Sequence, residues 1–169
     1  MAELKTLQDL LSHEVQVLYS AERLIMVGLP RMIEKAHSQQ LKSAFTTHLE
    51  ETKVQAERLE RIAAQLGVSP EGDGNPSMKG LIAEGEKTMH KDATPEVMDA
   101  SLICGAQKIE HYEISGYGTA AYLAEELGLT EVAQLLRMSL EEEQKTDTLL
   151  NNLAKNNINQ KAMPGSGIL

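Results

Sequence analysis

Tryptophan is absent from this chain, cysteine and phenylalanine occur once each, and four tyrosines complete the aromatic set. A lone cysteine, Cys104, excludes an intrachain disulfide, and no apolar run approaches the ~20 residues that cross a bilayer. The opening Met-Ala-Glu-Leu-Lys lacks the layout of a signal peptide, so a reduced, cytoplasmic protein is expected. Positive charge is scarce as well: 16 Lys and Arg stand against 25 Asp and Glu, a formal net charge of −9. Such a field repels phosphate backbones and anionic lipid surfaces, which removes nucleic acid and membrane from the expected partners.

What remains is a 169-residue chain rich in Leu, Ala, Glu, Lys and Met, a helix-forming mixture long enough for one domain with a buried core. The periodicity predicts an all-α fold. Thr6 and Asp9 form a capping pair ahead of Leu7, Leu10, Leu11, Glu14, Val15, Leu18, Glu22, Ile25 and Leu29, and Pro30 predicts a bend or short break before the helix ends near Lys35. Ser38 caps a second helix through Leu41, Phe45, Leu49, Thr52, Ala56, Leu59 and Ala63 to Gly67. The turn formers of residues 69–76 mark a loop, and Met78 to Met89 reads as a short helix. Thr94-Pro95-Glu96 opens a third long helix that runs to Gly128, and Thr130 is expected to cap a fourth. The bundle is expected over residues 1–155, with 156–169 a frayed tail.

Four long helices in two closely linked pairs, separated by a long connection that holds a short helix, predict an antiparallel four-helix bundle with one crossover. A shift of 91 positions superposes Glu22 on Glu113, Phe45 on Leu136, Leu49 on Leu140 and Glu51 on Glu142, the pattern an ancient duplication would leave.

Acids interrupt the inward stripes. At ~100° per residue, Glu110 and Glu113 lie about 60° apart on the apolar face of the third long helix. The same geometry places Glu22 on the first, His48 and Glu51 on the second, and one or two of the run Glu141-Glu142-Glu143 on the fourth. Any one glutamate taken alone belongs by default on a solvated face, and a lone histidine is by default structural. All of these positions are near mid-helix, however, so antiparallel packing converges them at one level. Buried carboxylates repel one another and are costly to desolvate, and two divalent cations would relieve both effects. Oxygen donors with one imidazole suit iron or manganese better than a thiolate-seeking ion. His111 projects about 100° from the acids, toward the surface. The run at 141–143 leaves a choice: the internal repeat favours Glu142.

The stretches Leu18-Tyr-Ser-Ala-Glu22, His48-Leu-Glu-Glu-Thr52, Ala106-Gln-Lys-Ile-Glu-His-Tyr-Glu-Ile114 with Tyr117-Gly118, and Leu140-Glu-Glu-Glu143 with Thr146-Asp147 resemble the YciE/YciF-type branch of the ferritin-like superfamily. The resemblance covers roughly residues 5–155 and is closer to the YciF type. It implies a ferritin-like bundle, a bacterial stress role and a dinuclear centre of iron before manganese. Carried over by position, it makes Glu22, Glu110, Glu113 and Glu143 ligands and favours Glu143 over Glu142. In a dinuclear centre built on these acids, Glu51 and Glu113 are the expected bridges and His48 the expected nitrogen donor. Two departures stand out. Val54 occupies the place of a histidine three residues after Glu51, and Thr146 the corresponding place after Glu143, with Asp147 beside it. The expected chemistry is reaction with oxygen or peroxide, of ferroxidase, peroxidase or catalase-like type; the alternative is a metal-binding or structural stress protein without turnover. Tyr19 and Tyr117, each one turn from an acid, are candidate partners of the ligands, and a homodimer is the expected assembly.

Overall fold

Residues 4–164 are described by a computed structural model. Thr6 opens α1 (Leu7–Lys35) with the full capping box, its side chain accepting from the Asp9 N–H while Asp9 accepts from the Thr6 N–H. Pro30 neither breaks nor shortens this helix. It lies on the exposed side, where the carbonyl it leaves unbonded is close to water. Ser38 caps α2 (Gln39–Leu66), and Gly67, at φ 71°, ends it. Asn75 caps α3 (Pro76–Met89), and Thr94 caps α4 (Pro95–Glu126).

Two expectations about the C-terminal part are corrected. Thr130 is the first residue of α5 (Thr130–Leu153) and not its cap; Leu129 takes that place and offers no side-chain bond. Leu129 packs against the core and donates its N–H to the Ala124 carbonyl at 2.9 Å, so burial and closure of the turn at Gly128 (φ 70°) displace a polar cap. The chain also does not fray at Asn156: a π-helical turn (Ala154–Ile158) and α6 (Asn159–Lys161) follow α5. Ile158 explains this continuation. It is buried in the core cluster that holds Phe45, Met98 and Leu150, a burial that stabilises the tail by about 2 kcal/mol. The remainder of the tail, 165–169, lies outside the described residues.

Asp99, near the start of α4, accepts from the backbone N–H groups of His37 and Ser38 at 2.7 and 2.8 Å. The beginnings of α2 and α4 therefore share one end of the molecule, and α1 and α5 run the other way. Neighbouring helices are antiparallel in the order α1, α2, α5, α4, and the connection carrying α3 crosses the length of the bundle over α1 and α4.

The buried seams alternate steps of three and four. On α1 they are Leu11, Val15, Leu18, Glu22, Ile25 and Leu29; on α5 they are Val132, Leu136, Ser139, Glu143, Thr146 and Leu150. That spacing is the one left-handed bundles use to interlock. Polar residues occupy the middle of every seam. They divide the core into one apolar cluster around Leu11, Leu59, Val132 and Leu136 and another around Ile25, Phe45, Leu102 and Leu150.

Candidate metal centre

The polar waist contains His48 from α2, Glu110 and Glu113 from α4, and Glu143 from α5, and each offers one ligand atom within 4.8 Å of all the others. None is more than 3% exposed. Glu22 of α1 is equally buried and neighbours Glu113, brought close because Gly116 lets α4 approach α1: a Cβ there would lie 2.8 Å from Leu18 Cδ2. Five of the six expected ligands thus converge. Glu51 does not join them.

Glu51 is half-buried on the open face between α2 and α5. The seam of α2 runs Leu41, Phe45, His48, Thr52, Gln55, Leu59 and Ile62, which turns His48 inward and leaves Glu51 about 60° to one side. Val54 follows it outward and is exposed. The same rotation decides between the acids of α5. Glu143 is on the seam, whereas Glu142 is half-buried and held by both terminal nitrogens of Arg58 at 2.6 and 2.7 Å. The shift of 91 positions therefore pairs like with like, Glu22 with Glu113 in the core and Glu51 with Glu142 at the rim.

Supporting bonds orient the acids. Tyr117 donates its hydroxyl to Glu22, and Gln55 donates its amide to Glu143 and, at 3.1 Å, to Glu142. Tyr19 instead donates to Glu60 at 2.8 Å and does not serve the centre. Asp147 faces outward, where His111 Nε2 lies 3.1 Å from its Oδ1. Sequence reasoning missed the roles of Gln55 and Arg58. Gln55 was traceable as the next member of the His48–Thr52 seam; nothing local marks Arg58.

The ligands are short of partners. Among the described residues, the buried side-chain atoms without a hydrogen bond are Glu22 Oε2, both nitrogens of His48, Gln55 Oε1, Glu110 Oε2, both oxygens of Glu113, and Glu143 Oε2. His48 Nε2 does approach Glu110 Oε1, at 3.3 Å. Native cores rarely leave such atoms unpaired, and here all of them belong to one cluster. Burial pushes the carboxyls of Glu22, Glu110 and Glu113 well above the usual range, and the Glu143 charge adds to each; the Glu22 charge raises Glu113 further, whereas the contact with Glu113 acts the other way on Glu22. Burial lowers His48, keeping it neutral and able to coordinate. Three carboxylates and one imidazole at this separation can hold a metal ion, and the donor set favours hard to borderline cations.

Residues 6–163 match the family described as Domain of unknown function (DUF892). The chain is also 41% identical over 160 residues to Protein YciF of Escherichia coli K12, covering 94% of this chain and 96% of that one. It belongs to the DUF892 family. The crystal structure of the E. coli stress protein YciF superposes with a TM-score of 0.89 at 40% identity, covering 94% of this chain and all of that one. YcfI of Rhodopseudomonas palustris gives 0.85 at 42% identity over 88% of this chain and 95% of that one. The fold is thus the ferritin-like helical bundle of YciF, as the resemblance of the four stretches implied. Within this DUF892 chain the waist carries one imidazole and four fully buried acids.

Proposed function

We propose that this protein binds two divalent metal ions, iron in preference to manganese, at the buried waist of the bundle and reacts there with dioxygen or peroxide in a bacterial stress response. The unpartnered ligand atoms of His48, Glu110, Glu113 and Glu143 carry this reading. Ionised carboxylates confined together at neutral pH require protons or cations for balance, and a neutral imidazole among them favours a metal. That the E. coli relative is described as a stress protein supports the biological role.

His48, Glu110, Glu113 and Glu143 would hold one ion; Glu22, beside Glu113, would begin the donor set of a second, which Glu51 would reach only by turning inward from the rim. Iron or manganese would supply a redox-active Lewis acid. Tyr117 fixes Glu22 and keeps a hydroxyl proton beside it, while Gln55 holds Glu143 in place. The apolar clusters above and below exclude water, which strengthens each electrostatic contact inside.

A tight binder without turnover is the second reading. The single buried imidazole favours it, because Val54 and Thr146 stand where further nitrogen donors would raise the reactivity of the centre. Ferrous iron added in air to metal-free protein, followed by metal counting and an oxygen electrode, separates the two. Two ions with consumption of oxygen or added peroxide supports reaction; two ions without consumption supports the inert binder. Iron uptake that persists unchanged in Glu110→Ala would remove the site.

A further inference from the structure

A cavity opens between α1, α3 and α4 and ends at His48 and Glu110. Its walls are apolar, formed by Ile25, Leu29, Ile82, Leu102 and Ile109, and its outer end reaches the exposed ion pair of Arg31 with Glu86. Its free volume is about 40 Å³. A water-sized guest fits in ~15 Å³, whereas ~150 Å³ is the scale of a cavity that accepts benzene. The space therefore suits a guest of two or three heavy atoms and rejects rings and chains.

The crossover builds this cavity. Asn75 is buried, accepts from the Met78 N–H at 2.8 Å, and donates to the Val17 carbonyl at 3.1 Å and to the Tyr112 hydroxyl at 3.0 Å. These bonds clamp the start of α3 onto α1 and α4, and Met78 is fully buried beneath it. Farther along, Gly85 of α3 and Gly105 of α4 line the cavity, and a Cβ on either would meet no atom within 4 Å. The empty space is thus where two side chains are missing.

We propose that this cavity is the inlet and holding site for a small, uncharged, apolar molecule, dioxygen by chemical class, on the His48–Glu110 side of the buried cluster. This rests on the metal-binding reading above and narrows its oxidant. Hydrogen peroxide would lose its hydrogen bonds to water along an apolar wall, and an anion such as superoxide would also oppose the negative charge of the chain. The opposite face, between α2 and α5, is lined by Glu51, Lys145 and Thr146 and suits hydrated species instead.

Xenon is the probe, because it enters dry apolar cavities without needing a metal. Crystals of metal-free protein pressurised with xenon are expected to show the atom between Ile25, Ile82 and Leu102. Gly105→Leu fills the space and also raises helix propensity at that position, so it is expected to fold, bind metal with unchanged stoichiometry and lose the xenon site. Gly85→Leu repeats the test from α3. Absence of xenon in the wild-type cavity, or its retention in both variants, overturns the proposal. Xenon bound as expected with no metal uptake would instead overturn the metal-binding reading and leave the cavity's guest class standing.

Discussion

Replacing Glu113 by glutamine separates the demands of folding from those of a metal. Both carboxylate oxygens of Glu113 are buried without a hydrogen-bond partner beside Glu22. A glutamine of the same shape carries no charge and can donate to Glu22, so the metal-free protein is expected to gain about 1–3 kcal/mol at neutral pH. The same variant is expected to lose metal stoichiometry. Chemical denaturation of metal-free protein paired with metal counting reads both effects, and a less stable variant would show that the carboxylate already has a partner. Glu51 provides the complementary case. It lies at the rim, outside the group of His48, Glu110, Glu113 and Glu143. Glu51→Ala is therefore expected to reduce two bound ions to one, whereas Glu110→Ala abolishes binding; equal losses in the two variants would contradict the separation of core and rim ligands.

At the scale of elements, the corner between α1 and α2 depends on a side chain from α4. Asp99 accepts two backbone N–H groups there, at 2.7 and 2.8 Å, and is itself buried. Bonds to a charged acceptor are worth about 1.5–3 kcal/mol, and the N–H groups left behind would be poorly placed for water. Asp99→Ala is expected to destabilise the protein by about 2–4 kcal/mol with no change in metal stoichiometry, measured by denaturant titration and metal counting. Arg58 works at the same scale. By gripping Glu142 it joins α2 to α5 and leaves Glu143 as the acid of α5 that faces the waist.

For the molecule as a whole, the waist links stability to pH. The carboxyls of Glu22, Glu110 and Glu113 hold their protons more tightly folded than unfolded, raised above the usual 4.5. Their stabilising contribution is full below that value and is lost as pH rises through the folded values. His48 acts in the opposite sense, since its lowered value costs stability below its usual 6.5, but one imidazole opposes three carboxyls. The stability advantage of metal-free Glu113→Gln over wild type is thus expected to widen as pH rises above the usual 4.5 toward the raised folded value. Metal reverses the trend, because bound cations replace the protons: affinity is expected to rise with pH and binding to release protons. Calorimetry in two buffers of different ionisation enthalpy counts them, and binding without proton release would contradict the raised values.

Periodicity and capping alone determined the helices. Thr6, Ser38, Thr94, Gly67 and Gly128 act locally, and apolar residues three and four apart identify a buried face wherever the helix packs. The same spacing placed Glu22, Glu110 and Glu113 inward, because their neighbours on both sides of the seam are apolar. Tertiary structure alone decided what a rotation of about 60° decides: His48 in and Glu51 at the rim, Glu143 in and Glu142 on Arg58. Local sequence cannot make that choice, since each pair straddles the edge of its stripe and the neighbouring helix sets the angle. Leu129 in place of a Thr130 cap, and Ile158 anchoring the tail, were settled in the same way by an apolar surface that exists only once the bundle has assembled.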